Sequence, residues 1–268
     1  MGACYVCAGA VGLLALSSAT TLATAGGRVV VGHDANTLST SLGGTAQQRA
    51  AVNIADWLLA GSPAPVENPS ILLVQSSRFD PRHDIAQDVM QSLMNAGYTV
   101  TSTYDHNQTF EALSQYNAVF TSFDFEMNYA FQDANVLTTY VQQGGGVYVW
   151  AGMGPDTNIE VATLNPFLAN VGLRFDPQLR EGLGGGNGIY GHTVVSSHPI
   201  FDGITGSWLR SQNGGTAIST TGTVPSAQVI ESVNGVGIYA VSEGVIPTPG
   251  AGVLAVMGLV TMVMRRRW

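Results

Sequence analysis

Lysine is absent from the 268 residues, and all ten basic side chains are arginine. Cysteine occurs twice, at Cys4 and Cys7, both inside an apolar N-terminal stretch. Removal of that stretch leaves a mature chain without a thiol. That excludes a disulfide, a cysteine-ligated zinc site and a cysteine nucleophile. Charged residues make up 10% of the chain, against about 25% in an average soluble domain. The 33 glycines follow no collagen-like period. The formal net charge is -8, and Arg265, Arg266 and Arg267 stand together, so the part between the ends is more acidic than the total. Such a surface repels phosphate backbones, which argues against nucleic-acid partners.

Both ends are apolar. Val11 to Leu16 form the centre of a segment that turns small and polar, and Ala23-Thr24-Ala25 fits a signal-peptide cleavage site with Gly26 as the first mature residue. Residues 1–25 are therefore expected to be a removable signal, although Met1-Gly2-Ala3 carries no basic residue. At the other end, Val245-Ile246-Pro247-Thr248-Pro249-Gly250 leads into an apolar run from Ala251 to Met264, followed by the three arginines and Trp268. A core helix would show a polar face, and this run has none. A membrane helix is the better expectation, short against the roughly 17–25 residues of a full span. The arginines favour the cytoplasmic side, which places the intervening domain outside.

The order of Pro-containing motif, apolar helix and arginine cluster over residues 245–268 resembles the PEP-CTERM family of sorting signals. The motif residues are Pro247, Thr248, Pro249 and Gly250, and Thr248 departs from the usual central Glu. The resemblance implies the export machinery and an exosortase-type membrane protease as partners, with surface glycans or matrix components beyond them. It also implies passage through a membrane-anchored precursor to the cell surface or extracellular matrix of a Gram-negative-type bacterium.

Residues 26–244 read as one α/β domain. Strand-like runs at 28–32, 71–75, 98–104, 118–123 and 147–151 alternate with helix-like runs at 45–59, 82–95, 110–114, 133–143 and 158–171. Alternation of this kind predicts a parallel, doubly wound sheet with helices on both faces. Shorter strands are expected later, at 193–196, 228–231 and 237–241, with Asn234-Gly235 as the hairpin turn of the last pair.

Several stretches between Ile71 and Ile204 resemble the class I glutamine-amidotransferase-like, flavodoxin-like superfamily: Ile71-Leu72-Leu73-Val74, Asn95-Ala96-Gly97-Tyr98, Ala118-Val119-Phe120, Gln143 to Val149, and Ser197-His198-Pro199-Ile200-Phe201-Asp202-Gly203-Ile204. The family's nucleophile would fall near Trp150-Ala151-Gly152-Met153-Gly154, where there is no Cys, Ser or Thr. The resemblance thus implies the fold without the amidotransferase reaction.

Three polar clusters follow predicted strands, where α/β sheets bind ligands. Asp34, after His33, would position a cation or hydroxyl, or else Asp34 or Asn36 caps a turn. In Asp80-Pro81-Arg82-His83-Asp84, His83 would serve as a base oriented by Asp80, or Asp80-Pro81 simply opens a helix. In Asp124-Phe125-Glu126 the carboxylates would share a divalent ion or do acid/base work, or the segment is a solvated loop. His192 and His198 fit turn-stabilising roles better than a metal pair. Gly182 to Gly188 lacks P-loop spacing, and Gly144-Gly145-Gly146 reads as a helix stop. No cofactor or metal is expected. The reading that emerges is a surface-sorted, non-catalytic binding or matrix protein. The alternative is an extracellular hydrolase acting on carbohydrate through Asp34, His83 and Asp124.

Overall fold

The structure is a computed structural model that describes residues 26–38, 44–62, 67–75, 85–105, 107–122, 133–150, 157–180, 190–205, 207–210 and 215–244. Residues 1–25 and 245–268, expected above to be a signal and a sorting tail, and the candidates His83 and Asp124 lie outside the described residues.

Five short strands are apolar at nearly every position. They are β1 (Arg28–Gly32), β2 (Ser70–Val74), β3 (Thr99–Thr103), β4 (Ala118–Ser122) and β5 (Gly146–Trp150), with β3 the polar exception. Continuous apolarity is what a strand needs when both sheet faces are covered. Successive side chains point to opposite faces, and the packing follows. Val30, Ile71, Leu73, Phe120, Tyr148 and Trp150 enter one core, while Val29, Val31, Leu72, Val74, Val119, Val147 and Val149 enter the other.

Each core is closed by its own helices. Helix α1 (Thr45–Leu59) buries Ala50, Ala51, Ile54, Ala55 and Leu58, a stripe at helical spacing, against the first core. Helix α2 (Ile85–Asn95) adds Val89 and Leu93 there. The short α3 (Phe110–Leu113), α4 (Ala134–Gln142) and α5 (Thr157–Asn170) cover the second core with Leu113, Leu137, Tyr140, Val141, Leu164, Phe167 and Leu168. Asp133 caps α4 by accepting from the amide of Asn135 at 2.8 Å. The helix stops at Gly144, whose φ of 96° a side chain would resist.

The parallel part of the sheet runs β3-β2-β4-β5-β1. The expected extra strands of the C-terminal part extend this parallel sheet. The later strands β6 (Leu173–Arg180), β9 (Gly215–Thr220), β10 (Gln228–Val233) and β11 (Val236–Glu243) join the same sheet antiparallel. Strand β11 pairs along β1, Arg28 opposite Glu243 and Gly32 opposite Tyr239. Among the described residues the result is a mixed nine-stranded sheet. Asn234 (φ 51°) and Gly235 (φ 78°) make the expected turn between β10 and β11.

Residues 194–196 are not a strand as expected. The strand is β7 (Tyr190–Thr193), which pairs with β8 (Ser207–Arg210) in a separate two-stranded ribbon. Among the described residues no helix is long and apolar enough to cross a membrane.

Both ends of the described domain meet. The amide of Gly244 donates to the carbonyl of Gly27 at 2.9 Å. A Cβ on Gly26 would strike the backbone of Gly244. Entry and exit thus share the edge where the parallel strands begin.

Candidate functional site

The parallel strands point one way, so their last residues line one edge. Neighbouring strands lie about 4.8 Å apart. The segments after β2 and β4, which carry His83 and Asp124, start from adjacent strands. Asp34, after β1, starts two strand steps from β4. The connections from β2 and β4 run to opposite faces, through α2 and α4 respectively. That is the topological switch at which open α/β sheets form their ligand crevice.

Asp34 is the one predicted catalytic candidate that the structure describes. It is fully buried and opens the 3-10 turn Ala35–Leu38, where the carbonyl of Asp34 accepts from the hydroxyl of Thr37 at 2.9 Å. The backbone of Asp34 is thus part of the turn.

A polar cluster surrounds it. The Thr37 hydroxyl shares a hydrogen bond of 2.8 Å with the hydroxyl of Tyr239. Burial pushes Tyr239 up to about 12, and the charge of Asp34 adds to the rise while the bond to Thr37 opposes it. Tyr148 is fully buried on β5, and burial raises its pKa well above the ordinary value, with the neighbouring Tyr239 adding to the effect. Its hydroxyl lies against β1, where a Cβ on Gly32 would meet it at 2.7 Å. Thr37 and Tyr239 are the polar groups that face that hydroxyl, though neither meets it at full hydrogen-bond geometry.

His33 shows the same lack more strongly. Its backbone is tied on both sides, the amide to Ile238 and the carbonyl to Thr216, each at 3.0 Å. Its ring is 1% exposed, and neither nitrogen meets a partner at full hydrogen-bond geometry, the backbone of Ile238 being the polar group that approaches it. Burial lowers its pKa to about 4, and His192 adds to that shift. His33 is therefore a neutral imidazole at physiological pH, offering one donor and one acceptor. Buried polar groups in folded proteins are nearly always paired, and exceptions mark sites where water, an ion or a ligand belongs.

His192 stands beside this cluster on β7. Its Nε2 lies 2.9 Å from Oε1 of Glu231, whose side chain is completely buried on β10. The other carboxylate oxygen accepts from the amides of Val195 (3.2 Å) and Ser196 (2.9 Å). Glu231 thereby fastens the β7–β8 ribbon to the main sheet. His198 does not join His192. Its ring packs edge-on against Trp57, and its Nδ1 accepts from the amide of Ile200 at 3.4 Å, capping the turn Pro199–Phe201. The turn-stabilising reading of His198 is correct. No metal-holding group of three His, Cys, Asp or Glu occurs among the described residues.

Thr37, Tyr148, Tyr239 and Glu231 were not singled out from the sequence. Each sits in an element whose neighbours read as core. The one available signal was Glu231, a carboxylate inside the strand pattern Gln-Val-Ile-Glu-Ser-Val.

The molecule is thus a mixed α/β protein with a buried polar cluster where its parallel strands end. No family model matches the chain, and no curated protein matches it. A solved structure of IMPa from Pseudomonas aeruginosa in complex with an O-glycopeptide is similar at 14% identity and a TM-score of 0.36. The match covers 52% of this chain and 15% of that one, too slight to define a shared fold.

Proposed function

We propose that the chain is an exported, surface-delivered protein that binds a ligand without transforming it, on an amidotransferase-like scaffold that has lost its nucleophile. One observation carries this reading. At the carboxyl edge of the parallel strands, the imidazole of His33 and the hydroxyl of Tyr148 are buried without a partner at full hydrogen-bond geometry. Unused hydrogen-bonding capacity of this kind suits a bound polar group. The sequence that follows β5, Ala151 to Asp156, contains no Cys, Ser or Thr. Delivery rests on the terminal segments, 1–25 and 245–268, with their cleavage pattern and their PEP-CTERM-like order of Pro motif, apolar run and arginines.

A second reading is an extracellular hydrolase acting through Asp34, His83 and Asp124, and His192 adds one observation in its favour. Its imidazole is oriented by a buried carboxylate and has the geometry of a general base. The two readings part on turnover. The triple variant Asp34→Ala, His83→Ala, Asp124→Ala is compared with wild type on a panel of chromogenic glycosides. The binding reading expects no turnover by either protein. Turnover by wild type that the variant loses, with its fold intact, establishes the hydrolase instead. Delivery is checked by mass spectrometry of the cell-surface fraction, which should contain a chain beginning at Gly26.

A further inference from the structure

A cleft lies at the opposite edge of the sheet, where the parallel strands begin. It encloses about 200 Å³ and is lined by Ser62, Phe110, Ser114, Tyr116, Asn117, Tyr140, Gln143, Gly144 and Gly145. Three of these are aromatic, two are amides, two are hydroxyls, and none is charged.

The lining is fixed from three directions. The hydroxyl of Tyr140 donates to the carbonyl of Tyr116 at 2.8 Å. Burial raises the pKa of Tyr140 above its ordinary value and keeps that donor protonated. The turn after α4 folds back, with the amide of Gly145 donating to the carbonyl of Tyr140 at 3.0 Å. The Tyr140 ring fills the space that a Cβ on Gly145 would need. The Oδ1 of Asn117 accepts from the amide of Ser70 at 2.9 Å and lies 3.2 Å from its hydroxyl. The Asn117 backbone carbonyl accepts from Gly146 at 3.1 Å. With Oδ1 occupied, Asn117 offers its NH₂ as a donor, and the exposed Gln143 offers both a donor and an acceptor. Phe110 and Tyr116 are half-buried, so part of each ring remains open.

We infer that this cleft binds a neutral saccharide ring. Aromatic carbon faces match the apolar C–H face of a sugar, and neutral amides and hydroxyls match its hydroxyl rim. The absence of any charged side chain among the lining residues, on a protein of net charge -8, disfavours an anionic ligand. The rigid floor lowers the ordering cost of weak binding. This site is separate from the carboxyl-edge cluster and does not depend on it.

The test is saturation-transfer NMR on the full chain, solubilised in a sugar-free detergent such as an amine oxide. The probes are glucose, N-acetylglucosamine and glucuronate. The expected result is saturable millimolar binding of at least one neutral sugar and weaker binding of glucuronate. Gln143→Ala, an exposed position, and Tyr116→Leu, which keeps the backbone carbonyl that holds Tyr140, should each weaken binding at least about fivefold with an unchanged circular-dichroism spectrum. His33→Leu should leave it unchanged. The inference is overturned if neither neutral sugar binds saturably, if glucuronate binds more tightly, or if both cleft variants bind like wild type. Loss of binding in His33→Leu alone would place the sugar at the other edge and equally overturn it.

Discussion

At the scale of single residues, His33 sets the most direct expectation. Its neutral form is the one the fold accepts, because burial penalises the imidazolium. The folded-state pKa of about 4 lies below the ordinary 6.5. The unfolded chain therefore takes up a proton first as the pH falls. Stability is complete above about pH 6.5, declines between 6.5 and 4, and levels off below 4. The gap between those values corresponds to roughly 3 kcal/mol, an order-of-magnitude figure. Glu231 and His192 also face this region, so the clean readout is a difference. Urea unfolding of wild type and His33→Leu should diverge in slope against pH across that window, with the variant the flatter. Parallel profiles would mean that the imidazole is solvated or paired. Such a residue was half-legible in the sequence. His33-Asp34 was flagged because it follows a strand, but burial to 1% comes from β9 and β11, which approach from more than 180 residues away.

Among the elements, what could be read from the sequence divides where contacts turn from local to distant. The parallel strands and their helices were legible because each carries its own periodicity. Helix α1 begins and ends where its apolar stripe does, and Gly144 stops α4 as expected. The strands β6, β8 and β9 were not anticipated. Their sequences mix polar and apolar residues without a clear period, and only pairing with other strands makes them strands. The strand placed at 193–196 lies instead at Tyr190–Thr193 because Glu231 holds the amides of Val195 and Ser196, which removes them from any ladder. That arrangement makes Glu231 the tether of the β7–β8 ribbon. Glu231→Ala leaves two amides and an imidazole without their buried acceptor, at a cost of about 3 kcal/mol. Hydrogen exchange should accelerate at Val195 and Ser196 in that variant, well before the amides of β2 and β4 respond. Unchanged exchange at those two positions would show that the ribbon is held by something else.

For the whole molecule, the joining of its two ends has a geometric consequence. Gly26 and Gly244 meet where β1 begins, so a tail leaving at Val245 departs from the edge opposite to His33. With that tail held in a bilayer, as proposed, the strand-end cluster faces away from the lipid and the saccharide cleft faces toward it. A five-residue strand separates the two edges by roughly 16 Å at about 3.3 Å per residue, enough for a distance-dependent quencher to resolve. Met94, at the end of α2, and Tyr104, just past β3, bracket that distance on the outer strand, and both are exposed, at 50% and 46%. With Cys4 and Cys7 replaced by Ser, fluorophores attached through Met94→Cys or Tyr104→Cys can be compared in vesicles carrying a nitroxide-labelled lipid. The probe at position 94 should be quenched more strongly than the one at 104. Equal quenching would mean that the domain tumbles freely on its tether. The reverse order would mean that the carboxyl edge lies against the membrane, which would leave the buried His33 cluster screened from ligands arriving from outside.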